Sequence, residues 1–355
     1  MTKAELDNRK ILPLEDSWYR RVKEKLDGIA KPLDGLGKFE HLIAQIGAIE
    51  KTTKISIQKK AVLVMCADNG VVEEQVSQSG KEVTLAVAKA MGVNNSSVGK
   101  MAAVAGVDVI PVDIGIDTDE VIPGVLPRKV AKGTKNFAKE PAMTEEEVLK
   151  AIETGIQLVQ QCHREGYEIL ATGEMGIGNT TTSAALACIL LDMNPGEVTG
   201  RGAGLSDEGL LKKTEVIRKA KEMYGIYKND PLELLRCIGG LDVAGLTGVY
   251  IGGAVYRLPV VVDGVISAVA ALIAVRLCPI VKDYILVSHQ GKEPAIKALL
   301  AELDKKAVIH AELALGEGTG AVMLFPLLDM AMQVYRENTT FDDIQITAYE
   351  DYGKC

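Results

Sequence analysis

Two glutamates, each bracketed by glycines, are the residues of this chain best equipped for chemistry. Glu174 lies in Gly173-Glu174-Met175-Gly176-Ile177-Gly178-Asn179-Thr180-Thr181-Thr182, and Glu317 in Gly316-Glu317-Gly318-Thr319-Gly320. Glycine lets the backbone turn tightly and come close to a ligand, while a carboxylate held in such a loop takes a proton or stabilises a developing positive charge. The pair predicts an enzyme acting on a small anionic, phosphorylated substrate.

The first motif passes from a strand-like run through glycines into Asn179-Thr180-Thr181-Thr182-Ser183, where a helix N-terminus offers backbone N–H groups, hydroxyls and a positive dipole end to an anion. It is not a Walker A loop, since no Gly-Lys-Thr follows, and its glycine spacing is not the dinucleotide fingerprint. A tight turn with a capped helix is the competing reading, against which Glu174 weighs as an odd choice for turn-making. Glu317 follows the apolar Leu313 to Leu315, and nonpolar surface there would desolvate the carboxylate and make it a better base near neutral pH. A solvated loop glutamate is the alternative. Asp263-Gly264 suits ribose hydroxyls or a helix cap equally well. Lys213, after Asp207-Glu208-Gly209, suits either a phosphate or a solvated helix face. The polar segment Ser77 to Thr84 precedes a helix and is placed at the border of the cleft. His41, His163, His289 and His310 have no metal-ligand spacing, and no metal or cofactor is called for.

Positioning these groups requires a sheet. Apolar residues recur at helical spacing at Trp18, Val22, Leu26 and Ile29, then at Leu36, Phe39, Leu42, Ile43 and Ile46, which predicts helices and no strand before Lys60. Beyond it, β-like runs at Ala61–Cys66, Val107–Val112, Ile169–Ala171, Val260–Val262 and Tyr284–Val287 alternate with helical segments. That alternation predicts an α/β fold, a parallel sheet flanked by helices. The runs end in the loops 67–70, 113–115, 172–174, 263–264 and 288–291, which are expected to share one crevice, because open α/β sheets bind ligands at the carboxyl ends of their strands. A helix from about Leu324 to Arg336 is expected to fold back on the N-terminal helices. The expected division is therefore a small helical unit from residues 1–58 and 326–355 around a large α/β domain at 59–325.

Composition narrows the function further. Asp and Glu (48) outnumber Lys and Arg (40) for a net charge of -8, which disfavours nucleic acid and anionic membrane as partners. Cys66, Cys162, Cys188, Cys237, Cys278 and Cys355 are scattered without Cys-x-x-Cys spacing, as expected of reduced thiols in a cytoplasmic protein. The N-terminus has no apolar secretory stretch. Leu258 to Val275 is interrupted by Pro259, Asp263 and Gly264, and reads as a buried strand followed by a buried helix instead of a membrane span.

Taken in order, Ala67-Asp68-Asn69-Gly70-Val71, Glu82-Val83-Thr84, Gly173 to Thr181, Gly200-Arg201-Gly202, Asp207-Glu208-Gly209-Leu210, Val262-Asp263-Gly264, Glu293-Pro294 and Gly316 to Ala321 resemble the nicotinate-nucleotide:dimethylbenzimidazole phosphoribosyltransferases. That family builds the lower-ligand nucleotide of cobalamin. The resemblance runs from Lys31-Pro32-Leu33-Asp34-Gly35-Leu36-Gly37 to Leu327. It implies a Rossmann-like sheet with a small helical domain drawn from both chain ends, a homodimer, and transfer of 5-phosphoribosyl from nicotinate mononucleotide to 5,6-dimethylbenzimidazole or a related base, with inversion at the anomeric carbon.

By the same resemblance Glu317 is the general base, and Glu174 stabilises the cationic ribose. Gly176, Ile177, Gly178, Asn179, Thr180, Thr181, Gly202 and Lys213 hold the phosphate, Asp263 and Gly264 border the ribose, and Ser77, Val87, Met175 and Leu315 surround the base. The chain departs from the family pattern in having Asn69 for His, Gly80 for Pro, Gln290-Gly291 for Arg-Ser and Val87 for Gln, which leaves the acceptor open among benzimidazoles, purines and phenols. Two other classes compete. A non-catalytic nucleotide- or base-binding protein would have little use for two such glutamates, and a nicotinamide-dependent dehydrogenase would need the glycine fingerprint that is missing.

Overall fold

Strand β1 (Lys60–Ala67) is buried along all eight of its residues, the signature of a central parallel strand covered on both faces. Its odd-numbered side chains, Ala61, Leu63 and Met65, enter one apolar core, and Val62, Val64 and Cys66 enter another on the opposite face. The other strands are β2 (Val107–Gly115), β3 (Leu126–Pro127), β4 (Ile169–Met175), β5 (Val260–Val262) and β6 (Ile285–Val287). All pair in parallel, in the order β3-β2-β1-β4-β5-β6, the doubly wound arrangement whose ligand crevice opens where the order reverses. Here that point lies between β1 and β4. This computed structural model describes residues 1–350.

The five anticipated runs are all strands. Two run further than their sequence suggests: β2 takes in Asp113-Ile114-Gly115, and β4 takes in Thr172-Gly173-Glu174, because pairing with β1 through Cys66↔Met175 and Ala67↔Gly115 overrides the local turn preference of glycine. Strand β3 was not anticipated; it is two residues long and contains Pro127, tolerable because it is an edge strand. The segment after Leu258 is β5 followed by the buried helix Val265–Leu277.

One face of the sheet is covered by the helices Glu145–Arg164, Leu241–Tyr256 and Val265–Leu277. The first two touch backbone to backbone: a methyl at Gly155 would lie 2.1 Å from the Gly245 carbonyl oxygen, and one at Gly248 2.0 Å from that of Ile152. Only glycine permits this approach, and it locks the start of helix Leu241–Tyr256 behind the switch point.

The other face is covered by Asp16–Asp27, Lys38–Glu50, Glu82–Gly92, Ser97–Ala105 and the C-terminal helix Thr319–Glu337. The two chain ends meet there: Ala30 N–H donates to the Thr339 carbonyl at 2.9 Å, Phe341 N–H to Gly28 at 3.0 Å, and the Tyr335 hydroxyl to Thr53 at 2.8 Å. Helix Thr319–Glu337 passes the expected boundary at 325/326 without a break, and its buried Leu324, Phe325 and Leu328 share the core of Val62 and Val64.

Cys66, Cys162, Cys188 and Cys237 are buried free thiols and Cys278 is half-buried; Cys355 lies outside the described residues. Among the described residues no helix is long and apolar enough to cross a membrane.

Candidate active site

The reversal of strand order puts the end of β4 in the crevice. Glu174, paired with Met65, is the penultimate residue of that strand and faces a cleft of about 330 Å³. Beyond it the chain turns through Gly176 and Gly178, the latter at φ 95°, and enters helix Asn179–Leu190. Thr84, fully buried, fastens the turn by accepting the Ile177 N–H at 3.1 Å. Not every N–H in this turn is offered to a ligand: those of Asn179, Thr181 and Thr182 return to the carbonyls of Gly176 and Gly178 at 3.1, 2.9 and 3.2 Å.

The Glu317 loop lies directly against β4. Gly316, Glu317 and Gly318 all take left-handed backbone conformations (φ 85°, 60° and 86°), a costly arrangement for glutamate that recurs at functional sites. A methyl at Gly173 would lie 2.6 Å from the Glu317 carbonyl oxygen, and one at Gly318 2.6 Å from Val62 Cγ2. The glycines around each glutamate are thus the surfaces on which the two motifs meet. Glu317 Oε2 accepts the Val98 N–H at 2.9 Å from the first turn of helix Ser97–Ala105. Glu174 Oε1 is 2.9 Å from where a Gly316 side chain would begin, so both carboxylates address one cavity.

Burial shifts the titration of several groups around that cavity. Burial, then the neighbouring Asp242 carboxylate, pushes the Glu174 carboxyl up to about 8, against the pull of a hydrogen bond from Asn179. Burial likewise raises Asp263 to about 6, opposed by backbone N–H groups including that of Ala321. The His289 imidazole is pushed down to about 4 by burial, so it is neutral at pH 7; its Nδ1 is 2.9 Å from the Ser288 hydroxyl. Lys213 is fully buried and its ammonium lowered to about 8 by burial. It donates to Thr180 Oγ1 at 2.9 Å and to the Gly200 carbonyl at 3.0 Å.

Of the residues singled out from sequence, Glu174, Glu317, Gly176, Ile177, Gly178, Asn179, Thr180, Gly202, Asp263, Gly264, Ser77, Val87, Met175 and Leu315 all line this cleft. Two do not. Thr181 is buried behind it with its hydroxyl unpartnered, because the helical turn carries it away from Thr180. Lys213 is neither at the cleft surface nor on a solvated helix face; it stands behind Thr180 and Gly202. Asp263 caps a helix, but not the one that follows it: Oδ1 accepts the Ala321 N–H of helix Thr319–Glu337 at 3.0 Å.

Two of the expected crevice loops also stand back. Gly115 packs on Leu241, and Asn69 accepts the Thr182 hydroxyl at 2.8 Å, supporting the phosphate-loop helix from below. The loop 288–291 reaches the crevice as expected, through His289 and Gly291; sequence reasoning gave no role to His289 or to Glu293, which also lines the cleft, and missed Asp242, buried just behind it. His289 follows β6 and was legible as a strand-end residue; nothing local marks Asp242. Among the described residues no group of three or more His, Cys, Asp or Glu side chains is arranged to hold a metal ion.

A doubly wound sheet with a glycine turn and two carboxylates at its switch point suits an enzyme acting on a small anionic substrate, and residues 11–346 match the family model described as Phosphoribosyltransferase. The chain is 44% identical over 329 residues to the nicotinate-nucleotide–dimethylbenzimidazole phosphoribosyltransferase of Acetivibrio thermocellus, covering 93% of this chain and 94% of that one. It is 42% identical over 331 residues to the enzyme of that name from Ruminiclostridium cellulolyticum, covering 93% and 94%. The crystal structure of CobT from Thermus thermophilus superposes with a TM-score of 0.88 at 33% identity, covering 94% of this chain and all of that one. The chain belongs to the nicotinate-nucleotide–dimethylbenzimidazole phosphoribosyltransferase family.

Proposed function

We propose that this cleft transfers the 5-phosphoribosyl group of nicotinate mononucleotide to a ring nitrogen of 5,6-dimethylbenzimidazole or a related base, giving α-ribazole 5′-phosphate and nicotinate for the lower ligand of cobalamin. The observation that carries the reading is the meeting of Glu174 and Glu317 on one cavity at the switch point. Glu317 takes the N–H proton of the base as the other ring nitrogen attacks the anomeric carbon; the bond to the nicotinate nitrogen breaks and its electron pair cancels the pyridinium charge. Glu174 faces the ribose as positive charge develops there. Burial holds the proton on that carboxyl up to about pH 8, and a cationic ribose beside it favours the ionised form. The Thr180 hydroxyl, with the Lys213 ammonium behind it, serves the 5′-phosphate.

The purified protein is expected to release nicotinate from nicotinate mononucleotide only when an acceptor base is present, followed by mass spectrometry across a panel of bases. Absence of release with every benzimidazole, purine and phenol would overturn the assignment. Val87 in the cleft wall favours an apolar acceptor edge.

The enzyme is read as a cytoplasmic homodimer. Its free, buried thiols suit a reducing compartment. Met323, Leu327 and Met330 form an exposed apolar stripe at 41%, 36% and 61% exposure on the helix that begins at the Glu317 loop, as an interface between copies requires. Sedimentation at twice the monomer mass, reduced to the monomer value by Leu327→Asp, is the expected result.

A further inference from the structure

Asp242 is a carboxyl without an evident task. It occupies the first turn of helix Leu241–Tyr256, is fully buried, and lies outside the cleft lining. No Lys, Arg or His side chain pairs with it among the described residues, and burial without a cation is costly for a carboxylate. Its oxygens are nevertheless ordered: Oδ1 accepts the Val243 N–H at 3.0 Å and Oδ2 accepts from Asn179 Nδ2 at 2.9 Å. The same Asn179 nitrogen also donates to Glu174 Oε2. One amide thus spans two buried carboxyls, and the glycine contacts of helix Leu241–Tyr256 hold the far end rigid.

We infer that Asp242 is a positioning residue for Glu174, acting through Asn179: by holding one N–H of the amide, it aims the other at the Glu174 carboxyl and fixes that group toward the ribose. The inference rests on the reading above, that Glu174 works at the sugar. Glu174 is faced by the carboxyls of Asp242, Asp263 and Glu317, all of which favour its protonated form, and by the Asn179 amide, which favours the ionised one. Asp242 and Asn179 therefore pull the Glu174 proton in opposite directions, and their removal has opposite signatures.

The test is the pH profile of kcat/KM for acceptor-dependent nicotinate release. Asp242→Asn removes a like charge, and the acid limb is expected to move down by about one pH unit, the scale of a neighbouring charge. Asn179→Ala removes the donor, and the limb is expected to move up. Both are expected to lower kcat ~10-fold or more at the optimum, and to add less than ~2-fold when combined with Glu174→Gln, as residues acting through one group are non-additive. A residue that served folding alone would leave both limbs on the wild-type curve, and that result, or losses that multiply in the Glu174→Gln background, would overturn the inference. If Asp242→Asn does not fold, Asp242→Ser, which removes the same charge, is read in its place. Full activity in Glu174→Gln itself would instead reject the role of Glu174.

Discussion

Replacing Glu317 with glutamine is expected to lower turnover by ~10²–10⁴-fold, the usual effect of deleting a general base, while binding of nicotinate mononucleotide changes by less than ~3-fold. The reason is local. Glutamine keeps an oxygen to accept the Val98 N–H that orients Glu317, so the strained Gly316–Gly318 loop and the start of helix Thr319–Glu337 retain their supports. What disappears is the capacity to take a proton from the base. Single-turnover measurement of nicotinate release, with donor affinity read by calorimetry, separates the two effects; wild-type turnover in the variant would remove Glu317 from the mechanism.

Glu174→Gln is expected to act twice. It withdraws a negative charge from beside the forming ribose cation, for which a loss of ~10²–10³-fold in kcat is the usual scale. It also changes how the empty enzyme responds to pH. Burial raises the folded-state carboxyl from its ordinary 4.5 to about 8, so the folded chain holds a proton that the unfolded chain has released, and that contribution to stability fades as pH rises toward 8. The buried His289 titrates with the opposite sign below about pH 6.5, since the unfolded chain takes up its proton first. Asp242 and Asp263, raised to about 6, have largely ionised above that pH, and Lys213, lowered to about 8, adds stability with rising pH only beyond it. Between about pH 6.5 and 8 Glu174 therefore acts together with Glu50, which burial also raises to about 8, each adding a slope of at most about 1.4 kcal/mol per pH unit for one proton. Scanning calorimetry of the ligand-free protein is expected to show Tm falling through this window in the wild type and falling about half as steeply in Glu174→Gln, where Glu50 alone still titrates. Parallel slopes would mean that Glu174 is already ionised in this pH range.

Local pattern was enough for much of this molecule. Continuous apolar runs mark five of the six strands, and period-3.6 apolar spacing marks the helices of both chain ends, because burial on both sheet faces or on a helix stripe constrains residues that are near one another in the chain. The glycine–glutamate motifs were legible for the same reason, since tight turns and close backbone approach favour glycine wherever they occur. Other features depend on which distant segments touch. The packing of Gly173 on the Glu317 backbone, the capping of helix Thr319–Glu337 by Asp263, the burial of Lys213 behind Thr180 and the link from Asp242 to Glu174 have no sequence period, because they arise only once strand order brings β4 between β1 and β5. The same holds for the Glu174 carboxyl: it is burial in the assembled core, and then the remote Asp242 carboxylate, that makes it hold its proton.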